Sequence, residues 1–409
     1  MDEGIRLDST RGLGARVVAA RRRRGLSRRA AAELCGRTEE WLRKVERGQR
    51  GTSLRMAARL AEVLRVPLAE LLGEQTPASV YARPEHAALA QVRAALVAVP
   101  PAPTGDIGEH VAALGADVAA AWRLRSVSGR DRSDLAAVLP RLLTGAGRVV
   151  RADGTGQQRR QARRLAAEVY HLAQLYLCYQ DAAELLWVAA DRGATWALGA
   201  DDPLAAARAA WFSAYLYRDT GHPEQAHQVV DDALRDLDRC PALGTPAERR
   251  QRANLALATA LNHARAGAHA DAWRWWDLAE AADRDAVAGG VPLSPHALFG
   301  QHPADVALTL DVELGRSASA LRRAEATDTD AVTSLPRRTR LLLEVARGHM
   351  LRREHTAAAA LLQSALDTGP EAALYSLHGR AMVVELQTSA GPMLRSQVAR
   401  LAEQMGVTA

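Results

Sequence analysis

Near the N-terminus, glycines and hydroxyl residues alternate at a spacing that allows only very short helices, and this feature constrains the fold most strongly. Gly25 and Gly36 are each followed two residues later by a residue suited to capping a helix, Ser27 and Thr38. Glycine adopts the left-handed conformation that often ends a helix, and a Ser or Thr oxygen accepts a hydrogen bond from the first turn of the next helix. The sequence therefore predicts two short helices joined by the three-residue turn Cys35 to Arg37, which is the spacing of a helix-turn-helix.

The second of these helices, predicted from Thr38 to Arg47, has one apolar face and one charged face. Leu42 and Val45 are three residues apart, so they lie on the same side of a helix and point toward a core. The opposite side carries Glu39, Glu40, Arg43, Lys44 and Arg47. A recognition helix presents an outward face of this kind to the major groove of DNA.

Four segments in this order, RGLS, ELCG, WLRKVERG and LAEVLRVPLAELL, resemble the Cro/cI-type repressor domain of the XRE family. The resemblance covers residues 1–75 and implies a five-helix, lambda-repressor-like DNA-binding domain. It also implies a structural ion pair that joins the first and third helices, at Arg21 and Glu46.

The same resemblance implies which side chains meet DNA. Base edges would be read by Arg28, Glu39, Glu40 and Lys44. Phosphates would be contacted by Ser27, Arg43, Arg47 and Arg50, and Thr38 would stand at the start of the recognition helix. Family members often carry Gln or Ser where this chain has Arg28, Glu39 and Glu40, so we expect a different operator. An arginine can form a fork with guanine and a glutamate can accept from cytosine, but the two glutamates would equally stabilise the positive end of their helix.

Positive charge is concentrated in the same segment. Residues 1–75 contain 17 Arg or Lys and 10 Asp or Glu, a net charge of +7, whereas the remaining residues carry a net charge of −1. This distribution favours DNA as the partner of the N-terminal segment. Ala, Leu and Arg dominate the chain and Ile occurs only twice, a composition that favours an all-α fold.

Beyond a predicted linker at Gly73 to Pro84, the chain is expected to be helical. We predict a helical connector over 76–158, with helices at Pro84–Val99, Asp106–Val127 and Asp134–Leu143 and a glycine-rich loop at Gly145–Gln158. Residues 159–409 resemble tetratricopeptide (TPR) repeats, most clearly around Gly221 and Gly267. The intervals from Gly221 to Gly267 and on to Gly315 are 46 and 48 residues, longer than the roughly 34 residues of that repeat. We therefore predict a divergent TPR-like α-solenoid with a concave groove.

Side chains on the inward face of the solenoid are candidates for an effector site. The strongest candidates are Trp211, Tyr215, Arg218, Arg265 and Trp275. The wider inward face would also carry His171, Gln174, Asp219, Asp305, Glu313 and His349. Trp211 and Tyr215 lie one above the other on a helix and, with Arg218, would suit a peptide or a small aromatic or acyl ligand. Aromatic residues at helical spacing are more often part of a core, and the sequence does not separate the two interpretations.

Sequence patterns of catalysis and membrane insertion are missing. Lys44, the only lysine, is not preceded by the glycine of a nucleotide-binding P-loop, and neither GxSxG nor HExxH occurs. The three cysteines are far apart and the histidines are not spaced as metal ligands, so we expect no cofactor, no metal site and no catalytic site. No apolar run approaches the length of a membrane span, and the N-terminus lacks the apolar region of a signal peptide, which predicts a cytoplasmic protein.

Together these features predict a transcriptional regulator. We expect a homodimer that binds double-stranded DNA at an inverted repeat, and TPR-like repeats that sense a peptide or small molecule or mediate dimerisation. Such an arrangement is similar to the peptide-sensing regulators of Gram-positive bacteria. Two alternatives stay open: a TPR-like scaffold for a protein partner with secondary DNA binding, and a degenerate enzyme.

Overall fold

A computed structural model shows that the chain is helical and forms two compact units, Met1–Val80 and Tyr81–Ala409. It describes residues 10–49, 52, 54–64, 66, 71, 84–240, 244–290, 302–329 and 332–407. No β-strand occurs among these residues, which agrees with the predicted all-α fold. None of the helices in the described ranges is both long and apolar enough to cross a membrane.

The first unit is a small bundle around one apolar core. Its helices are α1 (Thr10–Arg23), α2 (Arg28–Leu34), α3 (Glu39–Glu46) and α4 (Leu54–Leu64). The core is formed by side chains from each of them, among them Leu13, Val17, Ala31, Leu42, Val45, Leu60 and Leu64. Leu71, in the predicted fifth helix, is fully buried in the same core, and the rest of that helix lies outside the described residues.

The predicted helix ends of the helix-turn-helix are present. Gly25 and Gly36 have φ angles of +66° and +64°, in the left-handed region. The Ser27 hydroxyl accepts a hydrogen bond from the backbone N–H of Ala30, and the Thr38 hydroxyl accepts one from Trp41. These local bonds satisfy backbone donors that a helix start leaves unpaired, which is why α2 and α3 begin where they do.

Helix α1 crosses the end of α3 at very short range, and Gly14 makes this possible. A Cβ atom at Gly14 would lie 2.5 Å from the carbonyl oxygen of Glu46 and 2.7 Å from that of Val45. Both neighbours are backbone atoms, which cannot rotate away. The glycine therefore sets the distance between the first helix and the recognition helix.

The second unit is a series of helices packed in consecutive pairs. They are α5 (Leu89–Val97), α6 (Ile107–Val127), α7 (Asp131–Val149), α8 (Gly156–Leu177), α9 (Ala183–Leu198), α10 (Pro203–Asp219), α11 (Pro223–Asp238), α12 (Pro246–Arg265), α13 (His269–Ala288), α14 (Pro303–Glu313), α15 (Ser317–Glu325), α16 (Leu335–Leu351), α17 (His355–Thr368), α18 (Pro370–Leu374), α19 (Leu377–Ser389) and α20 (Arg395–Gln404). A short 3₁₀ helix at Pro392–Leu394 precedes the last of them.

The pairs α6/α7, α8/α9, α10/α11, α12/α13, α14/α15 and α16/α17 follow one another along the array. The first helix of each pair packs against the first helix of the next, and α16 packs back against α6. Among the described helices, α6, α8, α10, α12, α14 and α16 therefore form a closed cycle of contacts, which we call the ring. The sequence indicates stacking of helix pairs but not this closure.

The helices predicted as a connector belong to this packing. Residues of α5, α6 and α7 share one hydrophobic core with α8 to α11. The prediction of a loop at Gly145–Gln158 is partly wrong, because α7 continues to Val149. Gly147 is needed there for packing rather than for a turn, since a Cβ at this position would lie 2.8 Å from Cγ of Pro100.

Candidate nucleic-acid interface

Helix α3 has the two faces expected of a recognition helix. Leu42 and Val45 are fully buried against the core of the first unit. The outward side carries Glu39, Glu40, Arg43, Lys44 and Arg47, all exposed or half-buried. Arg50, predicted to contact phosphate, lies outside the described residues.

Three of these outward side chains are linked to one another. The guanidinium of Arg43 donates from Nε to Oε2 of Glu40 at 2.6 Å, and Nζ of Lys44 lies 3.5 Å from Oε1 of the same carboxylate. The hydrogen bond from Arg43 is the main cause that lowers the pKa of Glu40 to about 2. Glu40 is therefore ionised at neutral pH and partly neutralises two of the cations on this face.

Arg28, predicted to read a base, is held by the buried carboxylate of Glu46. Oε2 of Glu46 accepts from Nε of Arg28 at 2.8 Å, while Oε1 accepts from Nε of Arg21 at 2.6 Å. The Glu46 side chain is 3% exposed and that of Arg28 is 37% exposed. Burial alone would raise the pKa of Glu46, but the hydrogen bonds from the two arginines outweigh it and lower the pKa. The pair implied by the resemblance, Arg21 with Glu46, is thus present as part of a triad.

Ser27 and Thr38 sit at the two helix starts with exposed side chains. Their hydroxyl oxygens are engaged as caps, so a phosphate contact would use the hydroxyl proton or the backbone at the helix start. Trp41 packs partly against the core, and the guanidinium of Arg37 lies 5.9 Å from its ring centroid. Arg37 was not among the predicted DNA contacts, although it is an exposed cation in the turn directly before the recognition helix.

In the second unit, four of the five predicted effector residues lie together. Arg218 stacks 4.0 Å above the ring of Tyr215, and both Arg218 and Arg265 pair with Asp219, at 3.0 and 2.7 Å. The Trp211 ring packs against Tyr215, with ring centroids 4.4 Å apart, but it is 3% exposed within the core and is too buried for a direct ligand contact. Trp275 is half-buried on α13, and its role in an effector site stays a prediction.

The pairing continues along the ends of the ring helices. Asp219, Arg265 and Glu313 are the last residues of α10, α12 and α14, and Nη1 of Arg347 on α16 lies 3.2 Å from Oε1 of Glu313. Burial would raise the pKa of Asp219, but Arg218 and Arg265 outweigh it and lower the pKa to about 2. These alternating charges connect four ring helices and form a polar rim. Within the described residues, no group of three or more His, Cys, Asp or Glu is arranged to hold a metal ion.

Comparison with protein families identifies the type of domain that the first unit contains. Residues 13–72 match a family described as Helix-turn-helix domain. No curated protein and no solved structure matched the chain. The N-terminal segment is therefore a helix-turn-helix domain of the kind that binds DNA, as predicted. The family match supports this part of the chain only.

Proposed function

We propose that this protein is a sequence-specific DNA-binding transcriptional regulator of the Cro/cI, or XRE, type. The observation that carries the proposal is the outward face of α3, where Arg43, Lys44 and Arg47 project from a helix-turn-helix. The segment that contains this helix has a net charge of +7, whereas the rest of the chain is close to neutral. A cationic recognition helix is what binding to a polyanion such as DNA requires.

In this proposal the interface has two kinds of contact. Ser27, Arg43, Arg47 and Arg50 contact phosphates and supply most of the affinity, while Arg28, Glu39, Glu40 and Lys44 face base edges and supply sequence choice. The protein acts as a homodimer on an inverted repeat, with recognition helices in major grooves about 34 Å apart, the length of one turn of DNA.

The second unit would then control the DNA-binding unit, either by dimerisation or by sensing a peptide or small molecule. Support for a sensing role comes from the polar rim, where Arg218 and Arg265 pair with Asp219 and the Tyr215 ring stacks on Arg218. An aromatic ring beside paired charges offers both apolar and ionic contacts to a ligand. Ligand binding at the polar rim would change DNA affinity only if the ligand favours one conformation of the second unit over another.

Lys44 allows a direct test, because it is the only lysine in the chain and its side chain is 45% exposed. An operator is first selected from a random duplex library with the full-length protein. Acetylation of Lys44 by an amine-reactive ester is then followed by peptide mass spectrometry with and without that duplex. We expect the bound operator to slow acetylation of Lys44 at least tenfold. Acetylation of the N-terminal amine, followed in the same samples, serves as the internal control.

Variants complete this test. Replacing Arg28 and Lys44 together by Ala should abolish operator binding, whereas Arg22→Ala with Arg59→Ala removes the same charge from α1 and α4 and should leave specific binding largely intact. Equal acetylation of Lys44 in free and duplex-treated protein, or an equal loss of binding in both double variants, would contradict the proposal. Retention of a stoichiometric protein partner without any duplex binding would instead favour a scaffold.

A further inference from the structure

The ring closes at a small group of residues that we call the seam: His86, Arg132, Ser133, Tyr176, Glu371 and Tyr375. The seam lies where the start of the second unit meets its end, because α18 packs against α7 and α16 against α6. The backbones approach closely there. A Cβ atom at Gly129, between α6 and α7, would be 3.6 Å from both Pro370 and the carbonyl oxygen of Thr368.

Glu371 caps helix α7 from the far end of the unit. Its Oε2 atom accepts from the backbone N–H groups of Arg132 and Ser133, each at 2.9 Å, and its Oε1 accepts from the Ser133 hydroxyl. The residue at the capping position, Arg130, makes no capping bond through its own side chain within the described part. A carboxylate 238 residues away along the chain therefore supplies the cap and compensates the positive end of the helix.

The interior of the seam holds a buried cation beside aromatic rings. The guanidinium of Arg132 lies 3.9 Å from the ring centroid of Tyr179, just after α8, and 5.5 Å from that of Tyr375, just after α18. Arg132 is 3% exposed and pairs with Asp131 at 2.8 Å. A buried cation is attracted to aromatic faces, so the contact with Tyr375 helps to join the two ends of the array.

The same residues hold the chain that arrives from the helix-turn-helix unit. His86 is two residues beyond the predicted linker, which ends at Pro84. Its Nε2 lies 3.0 Å from the Ser133 hydroxyl and its Nδ1 lies 3.1 Å from the Tyr176 hydroxyl, while its backbone N–H donates to Gln180 at 3.0 Å. The Ser133 hydroxyl thus contacts both His86 and Glu371. The contact that holds the start of the second unit and the cap of α7 therefore share one group.

From this arrangement we propose that the seam is a latch: closure of the ring fixes residues 86–88, where the chain from the DNA-binding unit enters the second unit, and opening of the ring releases them. With the seam closed, the chain is held from His86 onward. With the seam open, residues 86–88 are released, and three extended residues add about 10 Å of reach. In a dimer the two released segments add about 20 Å. A ligand that binds the open ring more tightly would open the latch. The regulatory part of this inference rests on the proposed function.

Amide hydrogen exchange on the full-length protein tests the latch without DNA. Glu371→Gln keeps the shape of the side chain but removes its charge and replaces one of its two acceptor oxygens by an NH₂ group. We expect residues 84–97 and 131–135 to exchange at least tenfold faster in this variant, with 246–288 unchanged. His86→Phe removes the hydrogen bonds of the imidazole and should accelerate 84–88 alone. Glu280→Gln, at a half-buried side chain on α13, is the control and should change none of these segments.

Binding to selected duplexes tests the regulatory part. One duplex carries the two half-sites at their selected spacing, and a second has five additional base pairs, about 17 Å, between them. The wild-type protein should discriminate strongly between the two, and Glu371→Gln and His86→Phe should each reduce that discrimination at least fivefold. Unchanged exchange at 84–97 in folded Glu371→Gln, or unchanged exchange at 84–88 in His86→Phe, overturns the latch. Unchanged spacing discrimination overturns its regulatory role, whereas failure to bind any duplex overturns the proposed function and leaves the exchange result standing.

Discussion

The Nε atom of Arg28 lies 2.8 Å from Oε2 of Glu46, so a side chain at the start of α2 is held by a buried carboxylate at the end of α3. Because Nε is engaged, the two Nη groups are the donors that Arg28 offers to DNA. A guanidinium fixed in this way loses little additional freedom when it forms a fork with guanine. The triad therefore joins a structural ion pair to a proposed base contact.

Arg28→Lys should weaken binding to the selected operator about tenfold or more, in line with the roughly 1–3 kcal/mol of a bidentate base contact. Binding to a scrambled duplex should change little, because the positive charge is retained. Fluorescence anisotropy with both duplexes measures this ratio. Arg29→Lys, at a neighbouring exposed residue paired with Glu33, is the matched control. Equal losses on both duplexes would show that Arg28 reads no base.

Glu40→Gln should mainly change binding to scrambled DNA rather than binding to the operator. The carboxylate pairs with Arg43 and Lys44 and repels phosphates, so its removal should strengthen binding to scrambled DNA several-fold at low salt. Binding to the operator should gain less, which lowers specificity. Affinities measured as a function of salt concentration check this prediction. If Glu40→Gln weakens binding to scrambled DNA, the carboxylate instead serves to orient Arg43.

Gly14→Ala should destabilise the first unit by about 1–3 kcal/mol, the usual cost of forcing a methyl group into a packed interface. The added Cβ would meet two carbonyl oxygens at the end of α3, so either α1 or the recognition helix must move. Amide exchange within α3 measures the effect. Ala19→Ser, on the exposed side of the same helix, should leave the exchange unchanged.

His171 should make the second unit less stable at acidic pH. Burial lowers its pKa to about 3, and neither ring nitrogen has a hydrogen-bond partner among the described residues. The ring is stacked on Phe212 with centroids 4.2 Å apart, an apolar environment that favours the neutral imidazole. In the unfolded chain His171 has a pKa near 6.5 and takes up a proton that the folded state does not bind. The free energy of unfolding therefore falls as the pH falls below about 6.5.

His171→Leu tests this contribution. Between pH 7.5 and 5 the wild-type free energy of unfolding should fall by about 2 kcal/mol more than that of the variant. Urea unfolding at the two pH values measures the difference, and His269→Leu, at an exposed imidazole, should behave as wild type. A variant with the same pH dependence as wild type would mean that His171 is protonated in the fold.

Local chemistry made the first unit predictable from its residues. Gly25 and Gly36 adopt left-handed backbone angles, and Ser27 and Thr38 cap the helices that follow, because each of these interactions joins residues no more than three positions apart. The burial of Leu42 on α3 followed from helical periodicity for the same reason.

The second unit was less predictable because parts of its ring helices are buried on every side. Residues 253–262 of α12 are all buried, so no apolar stripe separates an inner from an outer face, and the register of a groove cannot be read from spacing. This is why Trp211 was a reasonable candidate for a ligand contact and yet lies in the core.

The order of the helices and their local caps, such as those at Ser27 and Thr38, follow from neighbouring residues alone. Closure of the ring does not, because it depends on the small rotation between successive helix pairs summed over the whole array, and no local pattern records that sum. Glu371 shows the difference: nothing near it in the chain indicates its role, and only packing brings its carboxylate to the start of α7, 238 residues away.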